Sequence, residues 1–418
     1  MSAANSRDFD VVIVGAGVVG AVMATLLVVR KLSAPGRVAI IADHFATPAP
    51  TDADWDPRVF ALSRASQRLL TACGVWGSLP AQRVFAYERM CVWDAGGEPR
   101  GKGSLQFDCA EIGEPNLGFI VDGRALQWHC LQAARAAGAV LLEAGPAAID
   151  ATDADISIRL SDGRALRSQL LIAADGQESK TRALLGIETA GHVYHQDALV
   201  AHVRTAKPHC NTAWQRFLKE GPLAFLPLPD GRSSIVWSTA LPEATRLRGL
   251  DDEAFGAALT AAGGAVLGEC ELSSPLLSFP LKLQYALDYA RPRAVLLGDA
   301  AHVVHPLAGQ GLNLGLLDCA ALAEVLGEAG GAGYFGEHKL LRRYERWRRS
   351  ENLLAAGALD GLERLFSNAD PLRAGLRAAG LSAVGKVPFV KRRLAQRALG
   401  LVGDVPEFLK VDRSWPHK

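Results

Sequence analysis

The stretch that most constrains this chain lies near its start, where Val11-Val12-Ile13-Val14 runs directly into Gly15-Ala16-Gly17-Val18-Val19-Gly20. A β-branched run favours a strand, and a GxGxxG turn opening into apolar residues reads as the strand, turn and helix of a dinucleotide-binding unit. Gly15 would make the tight turn, Gly17 would let backbone approach a pyrophosphate, and Gly20 would let helix and strand pack closely. A helix over 18–29 then aims its first N–H groups and its dipole at the phosphates. The 19 uncharged residues 11–29 could span a membrane on length alone, and their glycine spacing also fits a dimerising membrane helix. The strand-forming start and the glycine break favour the soluble reading. A signal peptide would need positive charge ahead of the run, where Arg7 stands beside Asp8 and Asp10.

A second strand is expected over 37–41, after the Pro35-Gly36 turn. Such a unit normally ends this strand with an acid for the ribose hydroxyls. Here Ala42 fills the slot and Asp43 is the nearest carboxylate; a one-residue offset in a strand turns a side chain to the other face. Two more apolar strands end at aspartates. Residues 169–174 deliver Asp175-Gly176, with Ser179 and Arg182 following, and residues 293–297 deliver Gly298-Asp299. The second of these continues through His302, His305, Pro306, Gly309, Gln310, Gly311, Leu312 and Asn313 into a helix over 312–326. A strand-end carboxylate can hold a ribose or ribitol hydroxyl, and loop amides at a helix start suit an electron-rich ring oxygen. Asp162-Gly163 and Asp230-Gly231 read instead as hairpin turns.

At 418 residues the chain exceeds a typical single domain of ~150 residues. With 49% hydrophobic and 21% charged residues it has a globular composition. A net charge of +1 offers no global field for nucleic acid, and no such partner is expected. The charge is uneven, with 16 Lys+Arg against 8 Asp+Glu over 340–418 and 29 against 36 before it. Residues 386–399 mix five cations with Val, Phe and Leu at helical spacing, which suits an anionic membrane surface or, equally, docking on the acidic body. The seven cysteines are never closer than 18 positions and form no CxxC pair, so a reducing compartment is expected rather than a disulfide framework. His192 with His195 and His302 with His305 lack a third ligand in register, so no metal is expected.

The GxGxxG, the mid-chain Ala174-Asp175-Gly176 and the spelling GDAAHVVHPLAGQGLNLG together resemble the class A flavoprotein aromatic hydroxylases. Within that class they resemble the ubiquinone-biosynthesis hydroxylases of the UbiH, UbiF and VisC/UbiI group. Residues 58–62, 117–121, 221–228 and 235–238 extend the resemblance over nearly the whole chain. The ending, 398–401 through 405–409, is most similar to the VisC/UbiI members.

This resemblance implies FAD, with Gly15, Gly17 and Gly20 at the pyrophosphate and Arg58 and Arg124 along the cofactor. Asp299 would bind the ribitol, and Pro306 with Gly309, Gln310, Gly311, Leu312 and Asn313 would line the isoalloxazine. Asp43, Asp175, Gly176 and Gly298 complete the cofactor-binding candidates, while Ala42 stands where the family has a ribose Glu. With one GxGxxG in the chain, NAD(P)H would visit transiently as reductant, and O2 would be the co-substrate. The implied reaction is hydroxylation of a polyprenylphenol ring through a C4a-hydroperoxyflavin, at C5 (the 2-polyprenylphenol 6-hydroxylase step). No side chain announces itself as the base for the phenol, and His305 is the catalytic candidate. Two alternatives stay open: a small soluble phenol as substrate, or a cofactor-free binding protein on the same fold, motivated by Ala42.

The expected fold is α/β, with a glutathione-reductase-type (Rossmann-like) FAD domain assembled from 1–75, 101–186 and 271–340. A β-rich substrate domain would use 76–100 and 187–270, and 341–418 would form C-terminal helices. Expected partners are the polyprenylated phenol, a membrane surface met through the basic end, and other ubiquinone-biosynthesis proteins, with homo-oligomerisation left open. The expected location is the cytoplasm, peripheral on the inner face of the membrane.

Overall fold

The computed structural model describes residues 8–48, 54–101, 103–304, 309–366, 388–400 and 402–410. The β-branched run forms the strand Phe9–Val14, and the chain turns at Gly15 into the helix Val18–Val29. That strand lies inside a mostly parallel sheet, between Ala165–Ala173 and Val38–Ala42. Val140–Glu143 extends the sheet beyond Val38–Ala42, and Ala294–Leu296 extends it beyond Ala165–Ala173. Both faces of these strands are covered, which is why they read as unbroken apolar runs rather than alternating ones. Val11 and Ile13 pack among residues of Val18–Val29, Gly123–Ala136 and Gln310–Gly327. Val12 and Val14 pack on the other side, against Ile156, Ile158 and Leu160 of an antiparallel meander. The strands that precede the three sequence motifs are therefore immediate neighbours, and their carboxyl ends lie side by side at the edge where such sheets form a ligand crevice.

A second sheet is antiparallel for the most part. Among the described residues it runs through Thr189–Thr205, Ser233–Ala240, Gly221–Pro227, Thr212–Leu218, Arg89–Asp94 and Ser104–Asp108, with Leu277–Ala286 on its other side. Leu199, Trp237 and Leu223 bury one face under Leu247, Phe255 and Leu259 of the helices Leu241–Arg248 and Asp252–Ala262. Val200, Val236 and Ala224 align on the opposite face. Two expected breaks move. Phe107 pairs with Met90, and Phe279 pairs with Ala198, so 104–108 and 277–286 belong to this second sheet and not to the first. The chain crosses between layers within continuous strand-forming stretches, and composition carries no mark of such a crossing.

The C-terminal part contains the helices His338–Phe366 and Pro388–Ala398. Ala395 and Leu399 pack on Ile112 and Leu117, Lys391 pairs with Glu111 at 2.5 Å, and Arg397 pairs with Glu351 at 3.2 Å. Docking on the body thus uses Lys391, whereas Arg397 pairs within the C-terminal part, Arg392 and Arg393 are exposed, and Phe389 is 77% exposed. Among the described residues no helix is long and apolar enough to cross a membrane.

Candidate cofactor site

The three glycines of the first turn do different things. Gly15 has φ +111°, donates its N–H to the Ile41 carbonyl at 2.9 Å, and approaches the neighbouring strand so closely that a Cβ would lie 2.2 Å from the Ala174 carbonyl oxygen. A Cβ on Gly20 would lie 2.0 Å from the Gly15 carbonyl oxygen, whereas one on Gly17 would meet nothing within 4 Å. Gly15 and Gly20 are therefore required by the protein's own packing, and Gly17 is not. Gly17 caps Val18–Val29 without a side chain, and the first turn holds no acid. Its leading N–H groups keep their full attraction for an anion.

The third motif supplies the complementary groups. After Ala294–Leu296 the chain turns at Gly298 (φ +55°) and presents Asp299. Asp299 is exposed at this edge and has no hydrogen-bond partner among the described residues. The protein that crowds its remaining sides pushes its carboxyl above the ordinary value, opposed by His302 and Arg58. Gly309 then caps Gln310–Gly327 from the left-handed region, again with no capping side chain and no acid in the first turn. Two uncapped helix starts with an unpartnered carboxylate in the same crevice fit a molecule carrying phosphates, hydroxyls and an electron-rich ring, as FAD does.

Several candidates turn out to build the site's frame. Asn313 is buried, and its Oδ1 accepts from the Ser63 N–H (2.9 Å) and Ser66 Oγ (2.6 Å). Its Nδ2 donates to the carbonyls of Ala61 (2.9 Å) and Gly309 (3.0 Å). It pins the loop to the strand Val59–Leu62 and the helix Arg64–Ala72. Asp175 accepts from Ser179 Oγ (2.5 Å) and the Thr181 N–H (2.9 Å), so both its oxygens organise the start of Lys180–Leu184. Arg182 links the second motif to the third by donating to the Ala300 carbonyl at 2.9 Å. Arg58 lies 5.3 Å over the Phe279 ring, and its N–H bonds Asp56 at 2.9 Å. Arg124 reaches the other Asp56 oxygen at 3.9 Å, so Asp56 ties the Arg58 backbone to the Arg124 side chain. Gly176 and Gly311 have open space where a Cβ would stand, and Leu312 packs against the first core. His305 and Pro306 lie outside the described residues.

Asp43 is exposed, leans over Gly145 and pairs with Lys180 at 3.6 Å. Ala42 ends its strand half-buried. Ala42→Glu is expected to tighten FAD by about 1.5–3 kcal/mol, the worth of a charged hydrogen bond, and Asp43→Ala to change affinity less. Titration of flavin-free protein with FAD checks both, and an unchanged affinity for Ala42→Glu would show that this strand end does not face the ribose.

One cluster escapes the motif reading. Asp318, fully buried in Gln310–Gly327, accepts from the Gly298 N–H (3.1 Å), His302 Nε2 (2.6 Å), Arg348 Nε (2.8 Å) and Asn352 Nδ2 (3.1 Å). Burial pushes its carboxyl up, but His302 and Arg348 more than offset this and hold it at about 2. The available signal was an acid inside an apolar helical run, which demands a buried partner.

Comparison with known proteins identifies the family. A family model described as an FAD binding domain matches residues 141–352. The chain is 34% identical over 403 residues to the 3-demethoxyubiquinol 3-hydroxylase of Escherichia coli, covering 95% of this chain and 100% of the relative. It is 37% identical over 414 residues to the ubiquinone hydroxylase UbiL of Rhodospirillum rubrum, covering 97% and 93%. In fold it is similar to the crystal structure of p-nitrophenol 4-monooxygenase PnpA from Pseudomonas putida, with a TM-score of 0.74 at 18% identity over 94% of this chain and 98% of that one. Since full-length likeness of this order accompanies a crevice whose unmet groups suit a flavin dinucleotide, the chain belongs to the FAD-dependent ubiquinone-biosynthesis hydroxylases and is an NAD(P)H- and O2-dependent flavoprotein monooxygenase.

Proposed function

We propose that the substrate is a polyprenylated phenol on the route to ubiquinone, hydroxylated at C5 of its ring (the 2-polyprenylphenol 6-hydroxylase step). The observation that carries this reading is the face of the second sheet turned away from the helices Leu241–Arg248 and Asp252–Ala262. Val200, Val236 and Ala224 line it, the last two only half-buried, and Phe279 extends it to Arg58, whose charge acts on Asp299. An apolar wall beside the cofactor crevice suits an aromatic ring with a hydrocarbon tail. Bound FAD would supply the oxygen-transfer chemistry, and the chain's share would be to hold the ring against this wall and keep water away.

The Escherichia coli relative is named for a different ring position, so lipid analysis of a deletion strain is the deciding test. A polyprenylphenol lacking the C5 oxygen should accumulate and disappear on complementation. A demethoxylated quinol would reassign the step, and normal ubiquinone would remove the substrate class.

Such a substrate resides in the bilayer, and Phe389, Arg392 and Arg393 form an exposed face of the docked basic helix. We place the enzyme in the cytoplasm, touching the inner face of the membrane through this helix. Each cation near an anionic leaflet contributes about 1 kcal/mol. Arg392→Gln with Arg393→Gln should then weaken binding to anionic liposomes by roughly 30-fold at low salt, and added salt should mimic the substitution. Flavin content should not change. Parent protein that ignores such liposomes would leave the helix a purely intramolecular role.

A further inference from the structure

We infer that Asp318 is a positioning residue for the cofactor, a clamp that fastens the Gly298–Asp299 turn to the long C-terminal helix His338–Phe366. One Asp318 oxygen takes the Gly298 N–H at 3.1 Å and His302 Nε2 at 2.6 Å, gripping the chain on both sides of Asp299. The other takes Arg348 Nε at 2.8 Å and Asn352 Nδ2 at 3.1 Å, and Arg348 Nη2 also donates to Asn352 Oδ1 at 2.8 Å. All four side chains are buried. One layer further out, Trp347 Nε1 donates to the Asp404 carbonyl at 3.1 Å and Glu351 accepts from Arg397 at 3.2 Å. The C-terminal helices are thus joined, through one carboxylate, to the turn that points Asp299 into the crevice. Asp318 makes no contact with the crevice itself in this scheme; it acts through Asp299, and the inference rests on the reading of Asp299 as an FAD ligand.

Removing Asp318 alone would strand the Arg348 charge, so the test replaces both. Asp318→Leu with Arg348→Met removes the two charges together, a change that buried pairs commonly tolerate, and leaves the Gly298 N–H without its acceptor. Full-length protein stripped of flavin is titrated with FAD by fluorescence quenching, in the parent and in an Asp299→Ala background. The paired variant should unfold cooperatively and bind FAD about tenfold more weakly, the worth of a hydrogen bond to a charged group, and this loss should vanish when Asp299 is already Ala. Parent-like affinity, or losses that multiply across the two backgrounds as a general loosening would give, overturns the clamp. If Asp299→Ala by itself leaves FAD affinity intact, it is the ligand reading that fails. Asn352→Leu, which keeps both charges, serves if the paired variant does not fold. It should cost roughly threefold in the parent and nothing beside Asp299→Ala, and no change in the parent overturns the proposal.

Discussion

Alanine at Gly20 is expected to abolish FAD binding and to destabilise the flavin-free protein by about 3 kcal/mol, the upper end of overpacking costs. The added methyl would stand 2.0 Å from the Gly15 carbonyl oxygen. Backbone lies on both sides of that contact, so no rotamer change can relieve it, and helix and strand must separate. Alanine at Gly17 should behave differently. A methyl there meets nothing within 4 Å, so the cost is that of exchanging glycine for the poorer helix cap alanine, about 1 kcal/mol or less. Its unfolding midpoint should fall much less than that of the Gly20 variant, while FAD weakens because the methyl occupies space above the first turn. Denaturant unfolding without flavin and FAD titration separate the two effects. Equal destabilisation by the two substitutions would refute the division of roles.

Asp299→Ala should move binding and stability in opposite directions. The carboxylate has no hydrogen-bond partner among the described residues, so its loss orphans no protein group. Its folded value is raised by burial, which means the ionised form is disfavoured in the folded state, and stability falls as pH rises through the ordinary carboxylate value. At neutral pH, alanine should therefore leave the flavin-free protein at least as stable as the parent. FAD should weaken by about 1.5–3 kcal/mol, roughly 10- to 100-fold. A variant that keeps full flavin through extensive dialysis would remove Asp299 from the site. One that loses flavin and melts earlier would make it a structural residue instead.

The parts that could be read from the chain alone were those governed by neighbours in sequence. Val11 to Val14, the glycine turn and the apolar strands ahead of Asp175 and Asp299 obey local rules of strand, turn and helix start. Asn313 and Asp175 show where this stops. Whether a polar side chain faces a ligand or the protein depends on what else reaches it, and Asn313 is claimed by Ser63, 250 positions away. The division of the basic end into paired and outward cations likewise depends on Glu111 and Glu351, acids that charge counting cannot match to their partners. Layer changes at Ser104–Asp108 and Leu277–Ala286 were hidden because a strand looks the same in either sheet.

The order of strands in the first sheet also bears on how the protein is made. Phe9–Val14 leaves the ribosome early, yet it pairs with Ala165–Ala173, which in turn waits for Ala294–Leu296. Parallel pairings over such separations close large loops before any contact repays them, and they form slowly. The flavin crevice therefore does not exist on a nascent chain until Gln310–Gly327 has emerged and packed. FAD can select the finished sheet but cannot template its early strands. A cell short of flavin should then hold completed chains that fold normally but turn over faster, since a ligand that binds only the native state adds its binding energy to stability after assembly is over.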